Sequence, residues 1–359
     1  MISLSVCMIV KNEEEVLGRA LSCLNEIADE IIIVDTGSSD KTKEIAKKFT
    51  EKIYDFTWCD DFAKARNYSF SKATKEYIMW LDADDVILEG DRQKLIKLKE
   101  EINPENVDMI MLKYNIGMDK NNNPTLSYYR ERILKRSKNY EWISPIHEVI
   151  VPSGNIIYKD IAITHRKNKK SDPTRNIRIF KKMQKEGLKL DARQKFYFAR
   201  ELYYNKEYEA SEKMYQDFFN SKDAWIENKI NACLDLSNLY MLLNEDEKRL
   251  MTLFKSFEYD KPRAEICCAI ANYFFEKGKY EVAIYWYKCA LNIVPNIEGG
   301  GFYTPDCYNF IPCIQLCVCY DKLGEYKLAN EYNEMAGKYK PDNINYINNK
   351  KYFEKKKIL

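Results

Sequence analysis

Short apolar stretches alternate with helix-like stretches through the N-terminal third of the chain, and this alternation restricts the fold more than any other feature. The predicted strands are Ser3–Val10, Glu30–Asp35, Lys52–Phe56, Tyr77–Leu81 and Asp108–Lys113. The predicted helices are Glu14–Asn25, Lys41–Phe49, Phe62–Ala73 and Asp91–Glu101. Strands that alternate with helices predict a mostly parallel sheet with right-handed crossovers. Ligands of such sheets bind beyond the carboxyl ends of the strands.

The pattern changes between Ile116 and Ile163, where only short strands are predicted. These strands are Ser127–Leu134, Glu148–Val151, Asn155–Tyr158 and Ile161–Thr164. A basic stretch follows, from Arg166 to Lys195. Within it Asp172 and Pro173 are typical of a helix N-cap and first helical residue, so we expect a connecting helix to begin there.

From about Lys195 the chain has a helical pattern that repeats. Five landmarks recur about 46 residues later: Gly278, Tyr280, Ala283, Ala290 and Pro295 return as Gly324, Tyr326, Ala329, Ala336 and Pro341. These phrases resemble tetratricopeptide repeats, whose period is ~34 residues. We expect a loop over Ile297–Thr304 to hold most of the extra residues, and a weaker repeat near Asn244. Stacked helix pairs of this kind form a curved surface with a concave side.

The predicted organisation is therefore an α/β domain over residues 1–170 and a basic linker helix over residues 171–194. All-α helical repeats would follow over residues 195–345, and a frayed basic tail over residues 346–359.

The composition excludes several classes of protein. Lys and Arg number 57 and Asp and Glu 55, and a net charge of +2 gives no overall attraction to nucleic acid or membrane. The 11 cysteines contain no CxxC pair, which is typical of reduced thiols in the cytosol. The apolar residues Ile2–Val10 precede a charged segment and follow no basic residues, so they predict a strand rather than a signal peptide. We expect a cytoplasmic protein without a membrane span.

An acidic segment follows the fourth predicted strand: Asp82, Ala83, Asp84 and Asp85. Two carboxylates one residue apart at a strand end can hold a divalent metal, and the metal can hold a diphosphate. The alternative is an ordinary acidic turn, since Asp is common in turns.

Four other residues are candidates for ligand binding. Asp35 ends the second predicted strand and could accept from a nucleobase N–H or a ribose hydroxyl, whereas Asp40 suits helix capping. Arg66 could donate to a base carbonyl or a phosphate, although a lone surface Arg is common. The chain has 2 histidines, His147 and His165, and one imidazole could complete a metal site that contains Asp84.

Together these segments resemble the family-two nucleotide-sugar glycosyltransferases of GT-A fold. The matching segments are Val6–Glu13, Ile33–Thr42, Ala65–Asn67 and Leu81–Asp85. Further matches at Arg132–Leu134, Trp142–Glu148, Thr164–His165 and Arg175–Asn176 resemble a bacterial subgroup that carries tetratricopeptide helices. That subgroup includes enzymes that glycosylate cysteine or serine of bacteriocin peptides. One departure is the pair Ser144-Pro145, because the subgroup usually has Gly before the His-Glu pair.

The resemblance implies a role for each matching residue. Asp35 and Arg66 would read the uracil of a UDP-sugar, and Asp82 would bind its ribose. The residues implied around the nucleotide also include Val10, Asn12, Glu13, Ala83 and Arg132. Asp84 would bind Mn²⁺ or Mg²⁺ through this DXD motif, with His165 as a further contact to the metal or the diphosphate.

Inverting transfer, which the resemblance implies, requires a base that takes the acceptor proton. Glu148 is the first candidate and Asp85 the second, while Glu148 could instead orient His147. Basic residues of Arg166–Lys170 could add positive charge near the diphosphate.

The predicted function is transfer of a hexose or N-acetylhexosamine to a Cys, Ser or Thr side chain of a peptide or protein. The repeats would bind that acceptor, and a homodimer is a further expectation from the resemblance. Two alternatives remain open: a transferase that builds a cell-surface glycan, and a repeat scaffold with an inactive transferase domain.

Overall fold

The computed structural model describes residues 1–118, 124–166, 172–295 and 304–356. The chain divides into two compact units, residues 1–189 and 190–359. The predicted loop over Ile297–Thr304 lies almost wholly outside the described residues, as does the basic run after Arg166.

The first unit contains ten strands and five α-helices in its described residues. The strands are β1 (Leu4–Val10), β2 (Glu30–Asp35), β3 (Ile53–Asp55), β4 (Tyr77–Trp80), β5 (Asp85–Val86), β6 (Met109–Met118), β7 (Pro124–Lys135), β8 (Trp142–Ile143), β9 (Val149–Ile150) and β10 (Ile156–His165). The helices are α1 (Leu17–Ser22), α2 (Thr42–Ala46), α3 (Phe62–Ser71), α4 (Glu89–Glu101) and α5 (Arg175–Lys185). Helix α5 begins three residues after Asp172, so the predicted N-cap position is wrong.

Eight strands form one sheet in the order β3-β2-β1-β4-β7-β6-β10-β5. Strands β1 to β4 pair in parallel, as predicted, and so do β6 and β10. Strand β7 runs antiparallel between β4 and β6, and β5 is antiparallel to β10. The predicted mostly parallel α/β sheet is therefore confirmed, with antiparallel strands added on one side.

Helices cover both faces of the sheet, so the side chains on both faces are buried and mostly apolar. Strands β1 and β4 are buried almost throughout, which is the usual state of central parallel strands. Helices α1 and α4 pack on one face through Leu21 and Leu95, in a core layer that also contains Met79. Helix α3 packs on the other face through Phe70, beside Trp80. The carboxyl ends of β1, β2 and β4 are thereby left at one edge of the sheet.

The second unit is helical in all its described residues. Its helices are α6 (Ala192–Tyr204), α7 (Tyr208–Phe219), α8 (Ile226–Leu242), α9 (Asp246–Lys255), α10 (Ala264–Glu276), α11 (Tyr280–Leu291), α12 (Phe310–Lys322), α13 (Tyr326–Tyr339) and α14 (Ile344–Lys355). The small landmark residues Ala283 and Ala329 are fully buried where neighbouring helices approach. The predicted frayed tail is wrong for residues 346–355, because they belong to α14, whose Phe353 is buried in the repeat core.

Each of the first four helix pairs turns through one residue in the left-handed backbone region. These residues are Lys206, Asn244, Gly278 and Gly324, with φ of 63°, 57°, 69° and 79°. In every turn the next N–H donates to a carbonyl in the last turn of the first helix, at 2.9 Å. Gly suits this conformation best because it has no Cβ. The repeat near Asn244 therefore has the same turn without the Gly landmark.

Within the described ranges, no helix combines the length and the apolar character needed to cross a bilayer.

Candidate active site

The acidic turn after β4 lies against the end of β10. Asp85 begins β5 and pairs in register with His165, the last residue of β10. The backbone N–H of Arg166 donates to the Asp84 carbonyl oxygen at 2.8 Å. This strand pairing brings the DXD segment and the second histidine together, as the resemblance implied. Ala83 is buried beneath the turn, so its contribution there is through the backbone.

Asp84, Asp85 and His165 form a cluster that could hold a metal ion. Each offers one ligand atom, and these atoms lie within 4.8 Å of one another. Nδ1 of His165 is 3.4 Å from Oδ1 of Asp84 and 3.4 Å from Oδ1 of Asp85. Hydrogen bonds to Asp84 and Asp85 raise the pKa of His165 to about 10, against the opposing effect of burial. Two carboxylates and an imidazole are a donor set that suits Mn²⁺.

Asp85 is held by groups that make it a poor acceptor base. Its side chain is fully buried, and its Oδ2 lies 3.3 Å from a guanidinium nitrogen of Arg132. The Tyr114 hydroxyl donates to Oδ1 of Asp85 at 2.9 Å and lies 3.1 Å from Nδ1 of His165. Burial, and then the charge of Asp85, raise the pKa of this tyrosine well above its usual value. The arrangement argues against Asp85 as the base and favours a role in orienting His165.

Arg132 is buried beside the acidic turn. Its side chain has no exposure, and its guanidinium carbon lies 3.6 Å from the ring centre of Trp80 and 4.5 Å from that of Tyr114. A β-bulge at Arg132, where β7 shifts register against β6, turns this side chain inward. In this structure its ion-pair partner is Asp85, and the nucleotide contact stays a prediction.

Arg66 links two of the predicted site residues. It donates from Nη2 to Oδ1 of Asp82 at 2.8 Å and from Nε to Oε1 of Glu148 at 2.8 Å. Burial alone would raise the pKa of Asp82, but the charges of Arg66 and Arg132 lower it below its usual value. Asp82 therefore stays ionised while its side chain is one-third exposed, at 32%.

Glu148 lies at the end of a tight hairpin. Strands β8 and β9 pair across it, and Ser144 and His147 both adopt positive φ, of 74° and 51°. The Ser144 conformation is one that Gly takes without strain, so the chain keeps a Gly-like backbone where the subgroup usually has Gly. The Pro145 carbonyl accepts from the N–H of Phe62 at 2.8 Å, which fixes the hairpin on α3. His147 stacks on Phe180 of α5, with ring centroids 6.1 Å apart.

Asp35 is buried at the end of β2. Its Oδ2 accepts from the N–H of Gly37 at 3.1 Å and of Ser38 at 2.9 Å. Gly37 has a φ of 103°, a conformation that favours Gly, so this tight loop needs it. Oδ1 of Asp35 has no hydrogen-bond partner among the described residues, although it is buried. An unpaired buried carboxylate oxygen is costly unless a ligand or water satisfies it.

The loop after β1 is tied to the loop after β2. Val10 is buried at the end of β1, and Asn12 follows with a φ of 54°. Oδ1 of Asn12 accepts from the N–H of Ser39 at 2.7 Å, and the N–H of Glu13 donates to Oγ1 of Thr42 at 2.7 Å. These three predicted residues therefore shape the edge of the sheet beside Asp35.

A cavity of about 570 Å³ opens beside these loops and is closed on its far side by α5. Its wall includes Lys11, Thr36, Trp58, Phe62 and Arg175. The Trp58 and Phe62 rings meet edge to face with centroids 4.7 Å apart, and the Arg175 guanidinium lies 4.8 Å from the Phe62 centroid. Its size and its mixed aromatic and cationic lining fit a small polar ligand with a planar ring.

Sequence reasoning missed Tyr114, Asn67 and Trp142 as parts of the site. Tyr114 lies two residues beyond Leu112 on β6, an apolar strand that runs parallel to β10. This position was the signal that could have identified it. Asn67 and Trp142 lie in the matching segments Ala65–Asn67 and Trp142–Glu148, but the hydrogen bonds between them join residues far apart in sequence.

Comparison with known proteins agrees with this geometry. Residues 5–166 match the model of the family described as Glycosyl transferase family 2. The chain is 30% identical over 109 residues to the SPbeta prophage-derived glycosyltransferase SunS of Bacillus subtilis, covering 30% of this chain and 26% of that one. A TPR repeat-containing protein of Synechococcus elongatus is 42% identical over 88 residues, 24% of this chain and 22% of that one. The lipopolysaccharide core biosynthesis glycosyltransferase LpsC of Rhizobium meliloti is 26% identical over 161 residues, 43% and 58% of the two chains.

The chain spans about a quarter of the length of the first two of these relatives. Among solved structures, residues 1–349 of S. aureus TarS in complex with UDP align at 13% identity over 77% of this chain and 92% of that one, with a TM-score of 0.38. A TM-score this low supports no argument about fold or ligand.

The fold and the site thus define an α/β domain of GT-A type joined to tetratricopeptide-like helices. Within the N-terminal unit, the likeness to glycosyltransferase family 2 extends over residues 5–166.

Proposed function

We propose that the chain is an inverting glycosyltransferase that moves a hexose or an N-acetylhexosamine from a UDP-sugar to a Cys, Ser or Thr side chain of a peptide or protein. The observation that carries the proposal is the cluster of Asp84, Asp85 and His165, beside Asp82, at the carboxyl edge of a family-two sheet. The side chains of Asp84 and His165 are each 24% exposed, so they can contact a bound ion.

Mn²⁺ or Mg²⁺ would be held by Asp84 and His165, with Asp85 behind them. A divalent cation bound there supplies positive charge beside a leaving diphosphate. Oδ1 of Asp35 would accept the N–H of the uracil, and the exposed part of Asp82 would accept a ribose hydroxyl. The cavity beside Thr36 and Trp58 offers room for the nucleoside.

Glu148 is the proposed acceptor base. It would take the proton of the acceptor hydroxyl or thiol as the acceptor atom attacks the anomeric carbon. The bond from that carbon to the diphosphate oxygen breaks at the same time, and UDP leaves with the electron pair. The side chain of Glu148 is 13% exposed, which permits contact with an acceptor, whereas Asp85 is fully buried. A thiol acceptor would make a small demand on the base, since its pKa is ~8.5.

The peptide or protein acceptor is proposed for two reasons. The family-two domain is joined to stacked helix pairs, and grooves between helices commonly bind peptides. A surface-glycan acceptor is the second candidate, favoured by the likeness to LpsC, whose name places it in lipopolysaccharide core biosynthesis.

The test is UDP release by the purified protein from UDP-glucose, UDP-galactose, UDP-N-acetylglucosamine and UDP-N-acetylgalactosamine, each with and without Mn²⁺. Release from one donor that depends on Mn²⁺ is expected, and Asp84→Ala should abolish it. Asp160→Ala is the matched control, because Asp160 is an exposed carboxylate on the same strand as His165. If the wild-type protein neither binds UDP nor releases it, the transferase proposal is wrong and the scaffold alternative gains support.

A further inference from the structure

Arg66 lies between two carboxylates of the proposed site. Its guanidinium donates to Asp82 on one side and to Glu148 on the other, each at 2.8 Å. The residue is 7% exposed, so both bonds form in a largely water-free environment. Charge-assisted hydrogen bonds in such surroundings are stronger than those at the surface.

The guanidinium also lies beside two indoles, whose ring centres are 5.0 Å apart. The ring centres of Trp80 and Trp142 lie 5.1 Å and 4.8 Å from its central carbon. Asn67, the next residue on α3, binds the backbone of Trp142 through both ends of its amide, at 2.8 and 2.9 Å. If Arg66 turned toward another partner, it would break both ion pairs and lose its contacts with the two indoles.

Two carboxylates close to one cation would repel each other if the cation were removed. One of them, Asp82, belongs to the donor side of the proposed site, and the other, Glu148, is the proposed acceptor base. A single rigid cation thus sets the separation of the groups that act on the two substrates.

We propose that Arg66 is a positioning residue that holds Glu148 at a fixed distance from Asp82, and that it does not read the uracil. This inference rests on the proposed function. It predicts that Arg66 controls the rate of transfer at saturating donor and leaves the affinity for the nucleotide nearly unchanged. A misplaced base of about 1 Å can lower a rate by about 100-fold.

The test is Arg66→Lys, because an ammonium group is a point charge that cannot hold two carboxylates in the geometry of a planar guanidinium. The Kd for UDP with Mn²⁺ would be measured by calorimetry, and kcat by UDP release from the preferred donor. We expect kcat to fall about 100-fold and Kd to change less than about threefold. Arg263→Lys is the matched control: Arg263 also bridges two carboxylates, Glu227 and Asp260, each at 2.7 Å, but it lies in the helical unit. It should leave both quantities within about threefold of wild type.

Asn67→Ala provides a second variant in case Arg66→Lys does not fold. It frees Trp142 without touching either ion pair, and we expect the same loss of kcat at unchanged Kd. A rise of about tenfold in Kd at unchanged kcat would overturn the inference and return Arg66 to nucleotide reading. Failure of the proposed function would look different, since the wild-type protein would then bind no UDP.

Discussion

At the scale of single residues, the site depends on side chains that support other side chains. Arg132 is wholly buried, yet its ion pair with Asp85 fixes the carboxylate on which Tyr114 and His165 depend. Groups that orient metal ligands are often as necessary as the ligands themselves. The site should therefore be sensitive to changes in residues that would touch neither metal nor donor.

Tyr114→Phe tests this sensitivity. The variant removes one hydroxyl that bonds Asp85 and lies beside Nδ1 of His165. We expect the affinity for Mn²⁺ in the presence of UDP to fall by about 10-fold or more, as for other residues that orient ligands. Electron paramagnetic resonance of free Mn²⁺ would measure it. Tyr129→Phe is the control, because Tyr129 packs on Tyr158 elsewhere on the sheet. An unchanged affinity in Tyr114→Phe would show that the hydroxyl has no part in orienting His165.

At the scale of elements, one strand is fixed by a buried carboxylate, and the helix turns depend on residues with a left-handed backbone. The start of β2 is anchored by Glu30, which is 7% exposed and bonds Ser5, Lys52 and Thr74. The carboxylate accepts the N–H of Thr74 at 2.9 Å and its hydroxyl at 2.8 Å. It therefore joins three separate segments of the first unit.

We expect Glu30→Gln to lower the stability of the first unit by an amount that depends on pH. Burial would raise the pKa of Glu30, but the hydrogen bonds from Lys52, Ser5 and Thr74 lower it from 4.5 to about 2. Because the folded pKa is the lower one, its stabilisation is complete above pH ~4.5 and is lost as the pH falls toward about 2. We expect the variant to lose about 2 kcal/mol of unfolding free energy at pH 7 and little at pH ~2. Urea unfolding at both pH values would measure this.

Glu89→Gln serves as the control for that experiment, because Glu89 is an exposed carboxylate that bonds Arg92 and Gln93 on α4. Its stability should change little at either pH. A loss in Glu30→Gln that is equal at both pH values would contradict the ionised hydrogen-bond network.

The turns between paired helices give a second prediction at this scale. Lys206 has a φ of 63° in the turn where later repeats have Gly278 and Gly324. A left-handed conformation costs a residue with a Cβ ~1–2 kcal/mol. We expect Lys206→Gly to stabilise the second unit by about 1 kcal/mol and Gly324→Ala to destabilise it by about 1 kcal/mol, both by urea unfolding. If Lys206→Gly destabilised the unit and Gly324→Ala stabilised it, the turns would not be the strained points.

At the scale of the whole molecule, two compact units have separate cores. The first is built on the apolar sheet, and the second on clusters that include Tyr287 and Phe353. Separate cores predict separate cooperative transitions rather than one. The proposed donor would stabilise the unit that binds it and so raise the temperature at which that unit unfolds.

Calorimetry should therefore resolve two unfolding transitions. Mn²⁺ with UDP should raise the midpoint temperature of only one of them. At 100 times its Kd a ligand stabilises the unit that binds it by about 2.7 kcal/mol. Tyr287→Ala, in the core of the helical unit, should lower the midpoint temperature of the other transition only. The expected loss is about 3–5 kcal/mol of that unit's unfolding free energy. A single transition that responds to both changes would contradict independent cores.

The sequence could predict the sheet, the repeats and the clustering of Asp35 and Asp82 at one edge, because these follow from strand periodicity and from the rule that parallel strands end together. It could not predict that Arg132 is turned inward, since a bulge depends on the register between two strands. Nor could it predict the ion pair of Arg66 with Glu148, which joins residues 82 positions apart. Local patterns reveal elements, whereas contacts between distant elements depend on the packed structure.

The pairing of β5 with β10 also has a consequence for the timing of synthesis on the ribosome. Asp84 is made early, but His165, its neighbour in the cluster, is made about 80 residues later. A nascent chain that ends before β10 has no complete metal cluster. Residues 190–359 then take roughly 10–30 s to translate at ~5–20 residues per second. All residues of the proposed donor site are therefore synthesised before those of the helical surface proposed to bind the acceptor.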